Sequence, residues 1–230
     1  MKNYLFALLS LFAAGISFSQ VRTGTFKYEV MDPSVAGKIF HNPLNAPDKP
    51  KGSPYFNNTF MSAKVENVAG KTMMRYNVYN DEFEFITPKN DTLVLDKIAD
   101  FGNITTTMGK NYNLVTYTNT KGKLTNGYLI NFYQKGDLIL YKKENVTFYE
   151  ARPAKTSLEA SLPAKFVKAD DTFYLKTKEN SIVEFPDSKK QLIKLYPAKK
   201  AEIEAFLKEN KISFTEDSDR IKVVDFLAAL

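Results

Sequence analysis

The sequence contains no cysteine and no tryptophan, and it has one histidine among its 230 residues. Without cysteine the chain has no thiolate nucleophile, no disulfide and no Cys-based zinc or iron–sulfur site. A Ser-His-Asp triad would have to use His41, because the sequence offers no second histidine. Neither a P-loop pattern nor GxGxxG occurs, so no nucleotide-binding loop is indicated. We therefore expect neither a metal site nor a cofactor.

The first residues, 1–19, are typical of a secretory signal peptide. Lys2 precedes an apolar run over 5–16, and the small residues of Ser17-Phe18-Ser19 follow it. The run is shorter than the roughly 20 apolar residues that a membrane span needs. A buried N-terminal helix is the alternative. We predict cleavage between Ser19 and Gln20 and export to the periplasm, to the outer membrane as an associated protein, or to the outside of the cell.

The charge balance argues against some partners. The formal net charge is +6, and removal of 1–19 takes away Lys2 and no acidic residue, which leaves +5. A mildly basic chain is attracted loosely to anionic surfaces, but no nucleic-acid recognition motif accompanies the charge. We expect an envelope protein or a glycan as partner, no nucleic acid, and no integral membrane segment. Seven lysines lie between 189 and 211 and predict a helical face exposed to solvent. An anion-binding face is the alternative.

The segment from Met74 to Ile86 alternates apolar and polar residues and predicts a β-hairpin. A two-residue loop at Asn80-Asp81 would pair Val78 with Phe83 and Tyr76 with Phe85. Paired residues share a face, so this register gathers the four apolar side chains and places the polar residues opposite them.

Further alternating segments follow without a helical period between them. Turns are expected at Lys121-Gly122, Lys135-Gly136 and Glu144-Asn145. The fold class predicted is α+β, mainly antiparallel β: a curled meander sheet, barrel-like or sandwich-like, followed by a small C-terminal part with a hairpin and short helices. The strands expected after the hairpin are Thr92–Leu95, Tyr112–Thr118, Tyr128–Gln134, Leu138–Lys143 and Val146–Glu150.

The composition divides the mature chain into regions. Residues 20–152 form the antiparallel β domain, 153–163 a linker, and 164–230 a small α+β region with helices beginning at Ser188 and Pro197 and a last one near Asp217. A short strand is expected at 212–214. Five of the ten prolines fall in the loop 33–54, which they exclude from regular structure. This loop is either an ordered flap anchored by Tyr55 and Phe56 or a mobile spacer.

Two stretches resemble a known group of proteins. Gly52-Ser53-Pro54-Tyr55-Phe56 with the segment Arg75 to Phe85, and the tail from Lys189 to Ile212, are similar to a recurring pattern in uncharacterised exported proteins of Bacteroidota. The match covers about half of the mature chain. The resemblance implies an envelope location and a β-rich structure. It carries no activity and no catalytic or binding residue.

The candidate site residues are few. Glu82 and Glu84 lie two apart on one predicted strand, so their carboxylates emerge on the same face at roughly 6–7 Å, a separation that suits acid–base glycoside hydrolysis. The alternative is a solvated polar face with Arg75 and Asn77 as neighbours. His41 is a weak candidate base or ligand, and Tyr55 and Phe56 are weak candidate binding residues.

These observations favour a protein that is not an enzyme. We predict an exported, non-catalytic envelope protein. It would be a β-rich interaction or structural module whose ligand the sequence does not identify. The alternative is an envelope glycan hydrolase that uses Glu82 and Glu84.

Export can be tested directly. If Ser17-Phe18-Ser19 is the cleavage signal, N-terminal sequencing of the protein from an envelope fraction will begin at Gln20. Recovery of the chain from the cytoplasm with Met1 intact would contradict the prediction.

Overall fold

A computed structural model describes residues 37–39, 49–156, 158 and 160–230. In these ranges eleven strands form one sheet in which every neighbouring pair is antiparallel, in the order β1-β5-β4-β3-β2-β6-β7-β8-β9-β10-β11. The strands are β1 (Gly37–Ile39), β2 (Met61–Val65), β3 (Thr72–Asn77), β4 (Glu82–Ile86), β5 (Thr92–Leu95), β6 (Ile104–Thr106), β7 (Asn111–Thr118), β8 (Leu124–Lys135), β9 (Leu138–Tyr149), β10 (Lys165–Lys176) and β11 (Ile182–Glu184).

Three helices follow the last strand: α1 (Lys189–Leu195), α2 (Lys200–Glu209) and α3 (Asp217–Ala229). The predicted class, α+β and mainly antiparallel β with C-terminal helices, is confirmed. The sheet is not closed, because β1 and β11 are its two edges. None of the helices in the described part of the chain has the length and apolar character needed to cross a membrane.

The β3–β4 hairpin places its apolar face as predicted but in a different register. Tyr76 lies opposite Phe83 and Met74 opposite Phe85, so four residues, not two, connect the strands. A shift of two positions keeps the alternation of side chains, and Tyr76, Val78, Phe83 and Phe85 are all buried. The wider turn is stabilised locally, since the Asn77 side chain accepts from the Asn80 N–H at 3.1 Å.

An aromatic core fills the curl of the first half of the sheet. The Tyr76 and Phe83 rings lie 5.0 Å apart, and each has its centroid 5.0 Å from that of Tyr112 on β7. Tyr128 on β8 meets Phe83 edge-on at 5.0 Å. Such offset and edge-on pairs add to the free energy of burial. The 18 phenylalanines and 13 tyrosines of the sequence thus serve partly as core.

The turn expected at Glu144-Asn145 is wrong, because β9 runs unbroken from Leu138 to Tyr149. Both polar residues are satisfied across strands instead. The Glu144 carboxylate is buried and pairs with Lys110. The Asn145 amide donates to the Asp170 carbonyl at 2.8 Å and to Thr172 at 2.9 Å, where β10 is bulged. Long-range partners therefore replace the local turn that these residue types favour.

The turn after β8 also differs from the prediction. Gly136-Asp137 connects β8 to β9, and Gln134 pairs with Ile139 and Tyr133 with Leu140. A register irregularity between Asn131 and Tyr133 then shifts the pairing by one residue. The turn predicted at Lys135-Gly136 is therefore one residue early, although the hairpin lies where it is predicted in the chain.

The predicted linker 153–163 lies between β9 and β10. These strands pair with each other from Tyr149 and Lys165 onward, and Arg152 and Leu162 exchange two backbone hydrogen bonds of 2.8 Å beyond them. The sheet therefore continues across the residues expected to separate two regions. A separately folding C-terminal region stays a prediction.

The helices cover the β8–β10 end of the sheet. Ser188 caps α1 by accepting from the Gln191 N–H, and Pro197 begins a short 3₁₀ turn before α2, as the sequence predicts. The segment 212–214, expected as a strand, is a turn region before α3. The cluster that joins helices to sheet comprises Leu138, Leu140, Phe173, Leu175, Phe185, Leu192, Ile203, Val223, Val224 and Leu227.

Asp81 fastens the tip of the β3–β4 turn to distant strands. Its carboxylate accepts from Lys97 at 2.7 Å and Lys143 at 3.1 Å, from the Tyr128 N–H at 3.2 Å, and from the Tyr76 hydroxyl. Its φ of 58° lies in the left-handed region that Asp tolerates better than most residues. The approach depends on Gly127, since a Cβ there would lie 2.3 Å from Oδ2 of Asp81.

We predict that Gly127→Ala lowers the free energy of unfolding by about 2 kcal/mol, because the added methyl displaces the Asp81 carboxylate from its donors. In an Asp81→Ala background the same change should cost less than about 0.5 kcal/mol, since the clash is gone. Urea unfolding of the four proteins of this cycle measures both costs. Equal costs in the two backgrounds would show that Gly127 is needed for another reason.

Candidate functional site

Glu84 on β4 is the most enclosed charged group among the described residues. Its side chain has no exposed area, and both carboxylate oxygens accept hydrogen bonds. The Arg75 Nε donates to Oε2 at 2.7 Å, and the Tyr55 hydroxyl and the Asn77 amide donate to Oε1 at 2.8 and 3.2 Å. Burial, followed by the charge of Glu84, raises the pKa of Tyr55 well above its usual range. The phenol therefore stays protonated and remains a donor.

The same network holds the segment that precedes β2 against the sheet. The Arg75 guanidinium lies between two rings, 4.1 Å from the centroid of Tyr55 and 4.4 Å from that of Phe60. The Pro54 carbonyl accepts from the backbone N–H of Val78 at 3.0 Å. Residues 54–60 therefore cover the polar face of the β3–β4 hairpin.

The covering segment changes the environment of the two predicted carboxylates. The expectation of a solvated polar face is wrong at Glu84 and at Asn77, which is 4% exposed, although Arg75 is the neighbour that was expected. Glu82 is half-buried and pairs in register with Asn77. The structure therefore places Glu82 and Glu84 on one strand, but the Glu84 carboxylate already accepts hydrogen bonds from three side chains.

The other candidate residues proposed from the sequence, His41, Tyr55 and Phe56, do not form one site. His41 lies outside the described residues, as does most of the loop 33–54. The exclusion of that loop from regular structure is wrong at Gly37–Ile39, which form β1 and pair with β5. Tyr55 is buried and Phe56 is half-buried. Nearby, Lys51 exchanges backbone hydrogen bonds of 2.8 Å with Ala164 and Phe166 at the start of β10. The part of the Pro-rich region that is described thus bridges β10 and the β3–β4 hairpin.

A cleft of about 220 Å³ opens beside this segment, between the hairpin and the strands β6, β7 and β9. Aromatic and methionine side chains provide most of its surface. Its lining consists of Phe56, Asn57, Met61, Met74, Arg75, Tyr76, Phe83, Thr106, Met108, Lys110, Tyr112 and Glu144.

One wall of the cleft carries an ion pair. Lys110, at the start of β7, pairs with the buried Glu144 of β9. Burial, followed by the charge of Glu144, raises the pKa of Tyr112 beside it. Because a buried charge without a partner is costly, the contact with Lys110 offsets part of the cost of burying the Glu144 carboxylate.

The mouth of the cleft is formed by longer and more exposed side chains. Met108, on the turn after β6, is 63% exposed. The Phe56 ring lies 4.5 Å from Nζ of Lys168 on β10, and the same Nζ donates to the Phe56 carbonyl at 3.3 Å. Methionine side chains are flexible and adapt to the shape of what they contact, so this opening can accept apolar groups of different shapes.

The cleft is lined by apolar side chains and by charged groups that are paired. Its two cations, Arg75 and Lys110, are each paired with a buried carboxylate. No group of three or more His, Cys, Asp or Glu side chains that could hold a metal ion occurs among the residues that the structure describes. The lining offers apolar contact and shape, and the charged groups around it neutralise one another.

Sequence reasoning missed most of this site. Phe56 was the one lining residue proposed from the sequence. Lys110 and Glu144 are 34 positions apart. The sequence predicts a turn at Glu144, where the structure has a continuous strand. The sequence does indicate that Met74 lies on the apolar face of its strand, because it alternates in phase with Tyr76. That Met61 and Met108 meet it in one cleft depends on the order of the strands.

Comparison with known proteins identified no relative. No family model matched the chain, and neither a curated protein nor a solved structure was found to be similar to it.

We predict that Glu84→Gln lowers the free energy of unfolding by about 3 kcal/mol, because it removes the charge that Arg75 faces and turns an amide N–H₂ toward other donors. Tyr55→Phe should cost about 1.5 kcal/mol through the loss of one charge-assisted hydrogen bond. Glu82→Gln, the matched control on the same strand, should cost less than about 0.5 kcal/mol. Urea unfolding curves measure all three, and a Glu84→Gln variant as stable as the control would contradict the assigned network.

Proposed function

We propose that this protein is an exported, non-catalytic binding module of the cell envelope, and that its cleft receives an apolar side chain of a partner protein. The observation that carries the proposal is the cleft itself: seven of its lining residues are phenylalanine, tyrosine or methionine. Concave, mostly apolar surfaces with few polar groups are the usual form of a small binding site.

The polar groups of the cleft already have partners within the chain, and this favours a protein partner over a glycan. A sugar ring brings several hydroxyls that need free donors and acceptors inside the site. Here Arg75 is engaged by Glu84 and Lys110 by Glu144, and the side-chain Oδ1 of Asn57 accepts from the Thr59 N–H at 2.9 Å. An aliphatic or aromatic side chain makes no such demand and gains free energy from contact with the methionines.

The envelope location rests on the N-terminal sequence. The basic start, short apolar run and Ser17-Phe18-Ser19 support export. The resemblance to exported proteins of Bacteroidota supports the same location. The +5 charge of the mature chain suits the anionic surfaces of a cell envelope.

The hydrolase alternative is weakened by the state of Glu84. A retaining or inverting glycosidase needs two carboxyl groups that reach the sugar from opposite sides of the scissile bond. The Glu84 oxygens are fully buried and accept from Arg75, Tyr55 and Asn77. We therefore make glycan binding or cleavage an outcome of the test rather than the proposal.

The experiment is a fluorescence titration of the mature chain, 20–230, with N-phenyl-1-naphthylamine, a neutral apolar probe. We predict saturable binding that Met108→Asp weakens at least tenfold, because the new charge at the mouth must be desolvated. Met73→Asp is the matched control, since Met73 neighbours Met74 in sequence but is 44% exposed and outside the cleft lining. It should leave probe affinity unchanged.

Competition separates the partner classes. N-acetyl-phenylalaninamide should displace the probe, whereas a tetramer of N-acetylglucosamine should not. Displacement by the oligosaccharide alone would replace the protein partner with a glycan. Release of reducing ends that is lost in Glu82→Gln would establish the hydrolase instead. Equal loss of probe binding in Met108→Asp and Met73→Asp would overturn the assignment of the cleft.

A further inference from the structure

Three of the four methionines in the described residues line one cleft. Met61 on β2 lies directly opposite Met74 on β3, so their side chains leave the sheet on the same face. Met108 reaches the same space from the turn after β6. Met73, the fourth, follows the opposite phase of β3 and does not line the cleft. The strand order thus concentrates thioethers in a chain that has no cysteine.

The sulfurs of two of these residues approach a common point. The Asn57 Nδ2 lies 3.3 Å from Sδ of Met61 and 3.9 Å from Sδ of Met108. An atom in the position of that amide nitrogen therefore contacts both sulfurs at once. Met74 is buried and lines the same cleft. Methionine has three rotatable side-chain bonds, so small rotamer changes can bring its sulfur to a shared ligand.

The chemistry of a thioether cluster is selective. Thioether sulfur is a soft, neutral ligand that suits Cu(I), whereas Mg²⁺ and Ca²⁺ require oxygen ligands. A thioether carries no proton to lose, so binding needs no deprotonation step. The two cations that line the cleft, Arg75 and Lys110, are each paired with a carboxylate. Lys168 Nζ, at the mouth, donates to the Phe56 carbonyl. The lining itself therefore does not oppose a monovalent cation with an unpaired positive charge.

We propose that Met61, Met74 and Met108 form a thioether site for a soft monovalent metal ion, Cu(I). When the ion binds, the Asn57 amide turns away and the three sulfurs converge on the position that it leaves. The inference uses the same cleft as the proposed function but does not depend on a protein partner.

The probe for the experiment is Ag(I), which has the same charge and soft character as Cu(I) without its redox chemistry. The mature chain is labelled with ¹³C at the methionine methyl groups and titrated with Ag(I), and native mass spectrometry gives the stoichiometry. We predict one ion per chain, with the methyl signals of Met61, Met74 and Met108 shifting together. The Met73 signal should not move.

Conservative variants give the decisive comparison. Met61→Leu and Met108→Leu keep the volume and apolar character of the cleft but remove a sulfur. Each should weaken Ag(I) binding at least tenfold, whereas the far-UV circular dichroism spectrum of both variants should match that of the unaltered chain, which shows that the sheet is intact. Met73→Leu and His41→Ala are controls and should bind Ag(I) as the unaltered chain does. His41→Ala is included because an imidazole also binds Ag(I).

The outcomes are distinguishable from those of the proposed function. Loss of Ag(I) binding in the two leucine variants with an unchanged far-UV spectrum supports the thioether site. Absence of stoichiometric Ag(I) binding, equal shifts at Met73, or affinity unchanged in both leucine variants overturns it, whether or not the apolar probe binds. Probe binding without Ag(I) binding would leave the three methionines as adaptable apolar lining only.

Discussion

The ion pair between Glu84 and Arg75 is the contact on which the functional surface depends. It lies on the face of the β3–β4 hairpin that sequence alternation assigns to solvent, and Tyr55 and Asn77 complete it. A buried pair of this kind costs desolvation free energy, which is offset when every polar atom finds a partner. Here the partners come from the segment before β2, so satisfying the carboxylate also fixes that segment on the sheet. Phe56 and Asn57, which follow Tyr55 directly, then form one side of the cleft.

The opposite end of the same hairpin is held by a second carboxylate. Asp81 accepts from Lys97, Lys143 and the backbone of Tyr128, and these contacts join the turn to β8 and β9. The hairpin is thus fixed at its face by Glu84 and at its tip by Asp81. A sheet that is open at both edges keeps its curl through these contacts and through the aromatic core of Tyr76, Phe83 and Tyr112. Without disulfides, burial and such fully satisfied polar networks supply the stability.

The two proposals use different properties of the same side chains. Contact with an apolar side chain depends on the shape and softness of the methionines, which leucine can largely replace. Metal binding depends on the lone pairs of their sulfurs, which leucine lacks. The Lys110–Glu144 pair supports both, because it brings β7 and β9 together at the wall and cancels charge beside the cleft. A chain without cysteine can present soft sulfur ligands only through methionine.

The sequence by itself determined the fold class, the apolar face of the β3–β4 hairpin and the helix starts at Ser188 and Pro197, because alternation and capping act between residues close in the chain. It could not reveal that Glu84 is buried, that β9 continues through Glu144, or that three methionines share a cleft. Tyr55 and Glu84 are 29 positions apart, and Lys110 and Glu144 are 34 apart. Local periodicity assigns each residue to a face of its own strand. Only strand order and sheet curvature decide which distant side chains meet across that face, because these follow from the packing of the whole sheet.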